Sequence, residues 1–164
     1  MTVRLRGHHL LCLLTYKGKG YSPAFVANLD QVTERLTAGE EVLLVEGPDD
    51  VCAPLCQDGG GSEDEPHCGL DRVRDRDRQA LDAISALLNR PLRPGERLTL
   101  DRRTSARLRQ AFRSGEIRPA CAGCDWSDFC TSIAETGFAD TYLHAAPETG
   151  LLTRPPRAAP GGCA

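Results

Sequence analysis

Three cysteines packed into one short segment, Cys121, Cys124 and Cys130, constrain this chain more than any other feature of its sequence. Two thiolates separated by two residues can wrap a metal centre, because the turn between them directs both sulfurs and several backbone N–H groups inward. Gly123 supplies the tight backbone that such a turn needs. Cys130 arrives at the expected start of a helix, where the helix dipole favours a thiolate. Three ligands do not close a four-thiolate site, so a fourth has to come from elsewhere in the chain.

The distant candidates are Cys52, Cys56, Cys68 and Cys12. The stretch from Asp49 to Gly69 carries Cys52-x3-Cys56 and His67-Cys68 and is the natural supplier. A loop this long, polar and Gly-rich is hard to order by packing alone, and a metal tie at Cys52 and Cys68 would order it. Cys56, one turn from Cys52, reads equally as a spare thiol. Cys12 lies in an apolar run, where a buried, inert thiol is as good a reading as a ligand. Cys163 sits in the Pro-rich C-terminal stretch and is expected to belong to no site.

The spacing leaves the metal open. Structural zinc sites usually pair two knuckles, and here one pair alone has that spacing. The bacterial ferredoxin run C-x2-C-x2-C-x3-C is also missed. An iron–sulfur cluster is larger than one ion and accepts more varied ligand spacing. A zinc-stabilised structural or interaction module would instead close one tetrahedral site with Cys52, Cys68, Cys121 and Cys124. Thiol–disulfide chemistry at Cys121 and Cys124 is a weaker third reading, because redox C-x2-C pairs follow a strand and Ile117-Arg-Pro119 is a poor one.

The chain's 164 residues, 40% apolar and 26% charged, suit one domain with its own core. A net charge of -3 and a pI near 5.8 weigh against a broad nucleic-acid footprint. No apolar run approaches the roughly 20 residues that span a bilayer. Leu10 to Leu14 is too short for a signal peptide. The expectation is a cytoplasmic protein, without nucleic-acid or membrane partners, in which eight cysteines serve metal or thiol chemistry rather than disulfides.

Helices are best signalled after Ser22, a natural N-cap followed by Pro23, with Phe25, Leu29, Val32 and Leu36 on one face and Gly39 as the stop. Further helices are expected over Asp71 to Asn89, over Thr104 to Ser114 and from a cap at Ser127 to near Gly137. Short strands are expected at Glu41 to Glu46 and Arg97 to Leu100. The stretch from Asp49 to Gly69 reads as irregular. The fold class is α+β: a small, mostly helical domain over residues 1–144 with a minor sheet, cysteines at element edges, and a disordered tail over 145–164.

Several other residues carry chemical potential. His8 and His9 are adjacent and point apart on a regular element, so at most one is expected to face a site; His9 is the candidate for a catalytic role. Trp126 reads as a hydrophobic lid. Asp49 and Asp50, in a Gly-Pro-Asp-Asp turn, are expected to bond the backbone rather than to act as acid and base. The Asp/Arg alternation from Arg72 to Arg78 reads as a solvated helix face. The chain carries no P-loop, dinucleotide fingerprint or Ser-His-Asp pattern.

Four segments together, Arg6-Gly-His-His-Leu-Leu-Cys12, Gly18-Lys-Gly-Tyr-Ser22, Val45-Glu-Gly-Pro-Asp-Asp50 with Cys52, and Ala120-Cys-Ala-Gly-Cys-Asp-Trp126, resemble a family of small bacterial and archaeal proteins. It is the domain of unknown function 1284, whose members are described as iron–sulfur proteins. The resemblance covers about residues 4 to 143. It implies cluster binding at Cys12, Cys52, Cys68, Cys121, Cys124 and Cys130, and raises a [4Fe–4S] cluster above zinc. It names no reaction. The expected role is redox or electron transfer with a redox partner protein or a small-molecule substrate.

Overall fold

The structure, a computed structural model, describes residues 1–57 and 71–145. It bears out the α+β class: six α-helices and one small sheet among the described residues. The readings of Cys68, His67, Cys163 and the tail lie outside the described residues.

Strand β1 (Thr2–Leu5) pairs in parallel with β2 (Glu41–Leu44), in the register Thr2 to Glu41 through Leu5 to Leu44. Parallel neighbours need a crossover, and helices α1 (His9–Thr15) and α2 (Pro23–Thr37) supply it. Strand β3 (Arg97–Leu98) adds antiparallel to the other side of β2. One face of α2 buries Phe25, Leu29, Val32 and Leu36, as its period demands, and Ser22 Oγ accepts from the Phe25 N–H at 3.1 Å.

Helix α3 (Ala53–Gln57) occupies part of the stretch read as irregular. Its backbone follows from Asp49, whose Oδ1 accepts the Val51 and Cys52 N–H groups at 3.0 and 3.1 Å and turns the chain into the helix. Helix α4 (Asp71–Leu88) buries Val73, Ala80, Leu81 and Ile84. Helix α5 (Arg102–Ser114) begins two residues earlier than its apolar period suggests, because Asp101 caps the Thr104 N–H at 2.7 Å. A 3-10 turn at Pro119–Cys121 leads into α6 (Ser127–Glu135). Ser127 is the first residue of that helix and not its cap; its hydroxyl accepts instead from Arg118 Nη2 at 3.3 Å.

Helix α1 had no amphipathic signal, and its burial explains why. Leu10, Leu11, Leu13 and Leu14 are each at most 1% exposed, so the helix is apolar almost all round. Cys12 is the exception and is solvent-accessible. Gly7 makes the preceding turn possible: a Cβ there would strike the Asp77 carbonyl and approach Leu81 Cγ to 2.9 Å.

Candidate metal centre

The elements converge on one hollow of about 160 Å³. Cys12 from α1, Cys121 from the 3-10 turn, Cys124 from the turn that follows, and Cys130 from the first turn of α6 all stand on its wall. Gly123, at φ 73°, takes the left-handed conformation that the Cys121–Cys124 turn requires. All four are free thiols.

The thiols feel one another. Burial pushes the Cys12 thiol up, and the negative charge that Cys130, Cys121 and Cys124 would carry pushes it further. The residue as a whole is exposed, and it stands in the wall of the hollow that the other three cysteines share. Burial also raises Cys121, against a hydrogen bond and positive charge from Arg118. Burial raises Cys130, against a hydrogen bond from Thr15, whose Oγ1 lies 3.2 Å from Cys130 Sγ. A metal removes this penalty, because it replaces the thiol protons and cancels the repulsion.

The rest of the wall is aromatic and cationic. Trp126 stands in the hollow's wall: its Nε1–H donates to Tyr21 Oη at 3.2 Å, and its ring meets Tyr21 and Phe129 edge-on, each at 5.8 Å. Lys17, Lys19 and Arg76 also line it, and no carboxylate does among the described residues. Arg76 therefore departs from the solvated face expected of its stretch.

Both His8 and His9 line the hollow, against the expectation that at most one would. His8 caps α1 in helical conformation (φ -71°, ψ -21°), His9 is its first residue, and the ring centroids lie 4.3 Å apart. Each imidazole is tied to a carboxylate. His8 Nδ1 lies 2.6 Å from Asp77 Oδ1, and His9 Nδ1 lies 2.7 Å from Asp49 Oδ2. Burial lowers the His8 pKa to about 4 despite Asp77, so the ring is neutral at pH 7 and its Nδ1–H donates.

Asp77 also accepts from Arg6 Nε at 2.8 Å and forms an ion pair with Arg6 Nη2 at 2.8 Å. Arg6 is fully buried. Burial opposes ionisation of Asp49, but His9 and the backbone N–H groups of Arg6 and Cys52 outweigh it and bring its pKa to about 2. Asp49 thus holds the backbone as its turn implied, and Asp50 accepts the Arg4 N–H at 2.9 Å.

Cys52 is absent from the hollow's wall. It is 4% exposed and stands beside His9 and Asp49, with ligand atoms of the three within 4.8 Å of one another. Among the described residues this trio reaches single-ion spacing; no three sulfurs of the hollow do. Sequence reasoning looked to the Asp49 to Gly69 stretch for the partner of Cys121, Cys124 and Cys130. Among the described residues the hollow brings Cys12 to them; Cys68 lies outside those residues, and in the sequence Cys12 reads both as an inert thiol in an apolar run and, through the family resemblance, as a ligand.

The chain belongs to the family described as protein of unknown function DUF1284, whose model matches residues 20–130. The matched span includes Cys52, Cys121, Cys124 and Cys130 and stops short of Cys12 on its N-terminal side. No curated protein and no solved structure matches the chain.

Proposed function

We propose that this protein binds an iron–sulfur cluster of the [4Fe–4S] type in the hollow, through Cys12, Cys121, Cys124 and Cys130, and serves in electron transfer. The observation that carries the reading is the meeting of four free cysteines from three separate elements on one wall. Their spacing favours a cluster over one zinc ion. Thiolates about 2.3 Å from a tetrahedral zinc lie under about 4 Å apart, whereas a cluster places iron and sulfide between its ligands and spreads them. Lys17, Lys19 and Arg76 offset the negative charge of four thiolates.

A bound cluster would supply one-electron chemistry. The chain's own residues set the conditions for it. Trp126, Tyr21 and Phe129 give the hollow an aromatic wall. The Thr15 hydroxyl is placed to donate to Cys130 Sγ, or to the Cys12 carbonyl at 3.3 Å, and hydrogen bonds to ligand sulfur tune a cluster's potential. Access of solvent to Cys12 leaves a short path for an electron to a redox partner.

Cys124→Ser, purified without oxygen, is the direct test. Loss of the visible absorbance together with iron and sulfide supports the reading. Unchanged absorbance and iron in that variant refutes the ligand assignment.

A further inference from the structure

We propose that His9, Asp49 and Cys52 form a second centre, a site for a single divalent transition-metal ion such as zinc, set behind the wall of the cysteine hollow. The trio supplies one nitrogen, one oxygen and one sulfur, all within 4.8 Å of one another. Such a mixed donor set suits borderline ions of the zinc and ferrous type rather than magnesium or calcium. Asp49 and Cys52 are each 4% exposed. His9 joins the two regions, since it belongs to the trio and also lines the hollow, and it gives an ion a way in.

The geometry needs little movement. His9 Nδ1 and Asp49 Oδ2 are 2.7 Å apart and now share a proton. Two ligands about 2.0–2.2 Å from a tetrahedral ion sit a little over 3 Å apart. An ion can therefore take the place of that proton with a small opening of the pair, the ring's hydrogen passing from Nδ1 to Nε2. Asp49 is already fixed by the N–H groups of Arg6, Val51 and Cys52, so the ligand is oriented before the ion arrives.

Charge points the same way. Asp49 and Asp77 bring two negative charges to this region against the one positive charge of Arg6. These three groups sum to one negative charge. A divalent ion that displaces the Cys52 thiol proton brings it to zero. Arg6, which lies within hydrogen-bonding reach of Cys52, favours the thiolate that a metal requires. This site uses none of the four cysteines assigned to the cluster, so each centre stands or falls separately.

The test is zinc uptake by full-length, cluster-loaded protein, read by calorimetry with zinc chloride and by zinc-edge X-ray absorption. The visible spectrum of the same sample reports the cluster. The expected result is one zinc per chain with a single sulfur neighbour near ~2.3 Å and the rest nitrogen or oxygen. Cys52→Ser and His9→Gln should each weaken uptake by more than the roughly 10–100-fold that losing an outer ligand partner costs, with the visible band retained. Should Cys52→Ser fail to fold, His9→Gln and the wild-type sulfur count decide. No zinc uptake, wild-type affinity in His9→Gln, or a zinc with three or four sulfur neighbours overturns the proposal. The last outcome would place zinc in the hollow and would count against the cluster as well. A colourless protein whose zinc has one sulfur neighbour would refute the cluster and leave this site standing.

Discussion

Replacing Asp77 with alanine removes the carboxylate that pairs with a fully buried guanidinium. Arg6 is 0% exposed, and Asp77 takes both its Nε–H and its Nη2 at 2.8 Å, besides the backbone and ring N–H groups of His8. Each hydrogen bond to a charged group contributes about 1.5–3 kcal/mol, and leaving one member of a buried pair unpaired costs about 3–5 kcal/mol. Asp77 is itself 14% exposed, and Arg6 keeps its interaction with Cys52, so the lower part of that range applies: about 3 kcal/mol. That is a large share of the roughly 5–15 kcal/mol that holds a domain together. The assay is urea unfolding at pH 7, with Asp75→Ala on the exposed face of the same helix as the control, expected within about 0.5 kcal/mol of wild type. A loss below about 1 kcal/mol in Asp77→Ala would refute the claim that this pair clamps the β1–α1 turn to α4.

Stability should fall as the pH drops. His8 has its pKa lowered from 6.5 to about 4, so its neutral-state contribution is whole above pH 6.5 and is lost on the way to pH 4. It amounts to roughly 3 kcal/mol. Asp49, lowered from 3.8 to about 2, adds a second loss between those values. Unfolding of wild type and His8→Gln at pH 7 and 4.5 checks the first step; equal losses in both would contradict it. Gly7→Ala should destabilise by about 1–3 kcal/mol, since its methyl meets the α4 backbone, and a melting temperature equal to wild type would show that the two segments are not in contact. Thr15→Val should lower the cluster's reduction potential with iron content unchanged, because it removes a donor beside Cys130 Sγ; an unchanged potential would mean that the hydroxyl bonds the Cys12 carbonyl instead.

Local signals in the sequence carried as far as local physics does. Ser22, Pro23 and the spacing of Phe25, Leu29, Val32 and Leu36 define α2 without help from the rest of the chain. Cys121, Gly123, Cys124 and Cys130 announce a tight turn that gathers thiols for the same reason, and the turn at Asp49 could be read from Gly-Pro-Asp-Asp. What escaped is set by contacts between distant segments. Helix α1 is a leucine run with no polar face, and which of its residues meets the hollow depends on α5 and α6 packing around it. The Arg6–Asp77 pair joins residues 71 positions apart, so nothing near Arg6 predicts that it will be buried. The two histidines, the cap and first residue of α1, are held beside the hollow by carboxylates 69 and 40 positions away, which no local pattern reveals.

In the proposed centre Cys12, and not Cys52, completes the ligand set of Cys121, Cys124 and Cys130. Anaerobic purification of wild type, Cys12→Ser and Cys52→Ser, with a visible spectrum and iron and sulfide analysis on each sample, tests this assignment most directly. The expected result is a broad band near ~400 nm and about four iron atoms per chain in wild type and Cys52→Ser, with both strongly reduced in Cys12→Ser. A full complement of iron in Cys12→Ser with loss in Cys52→Ser, or a colourless wild type, would contradict it.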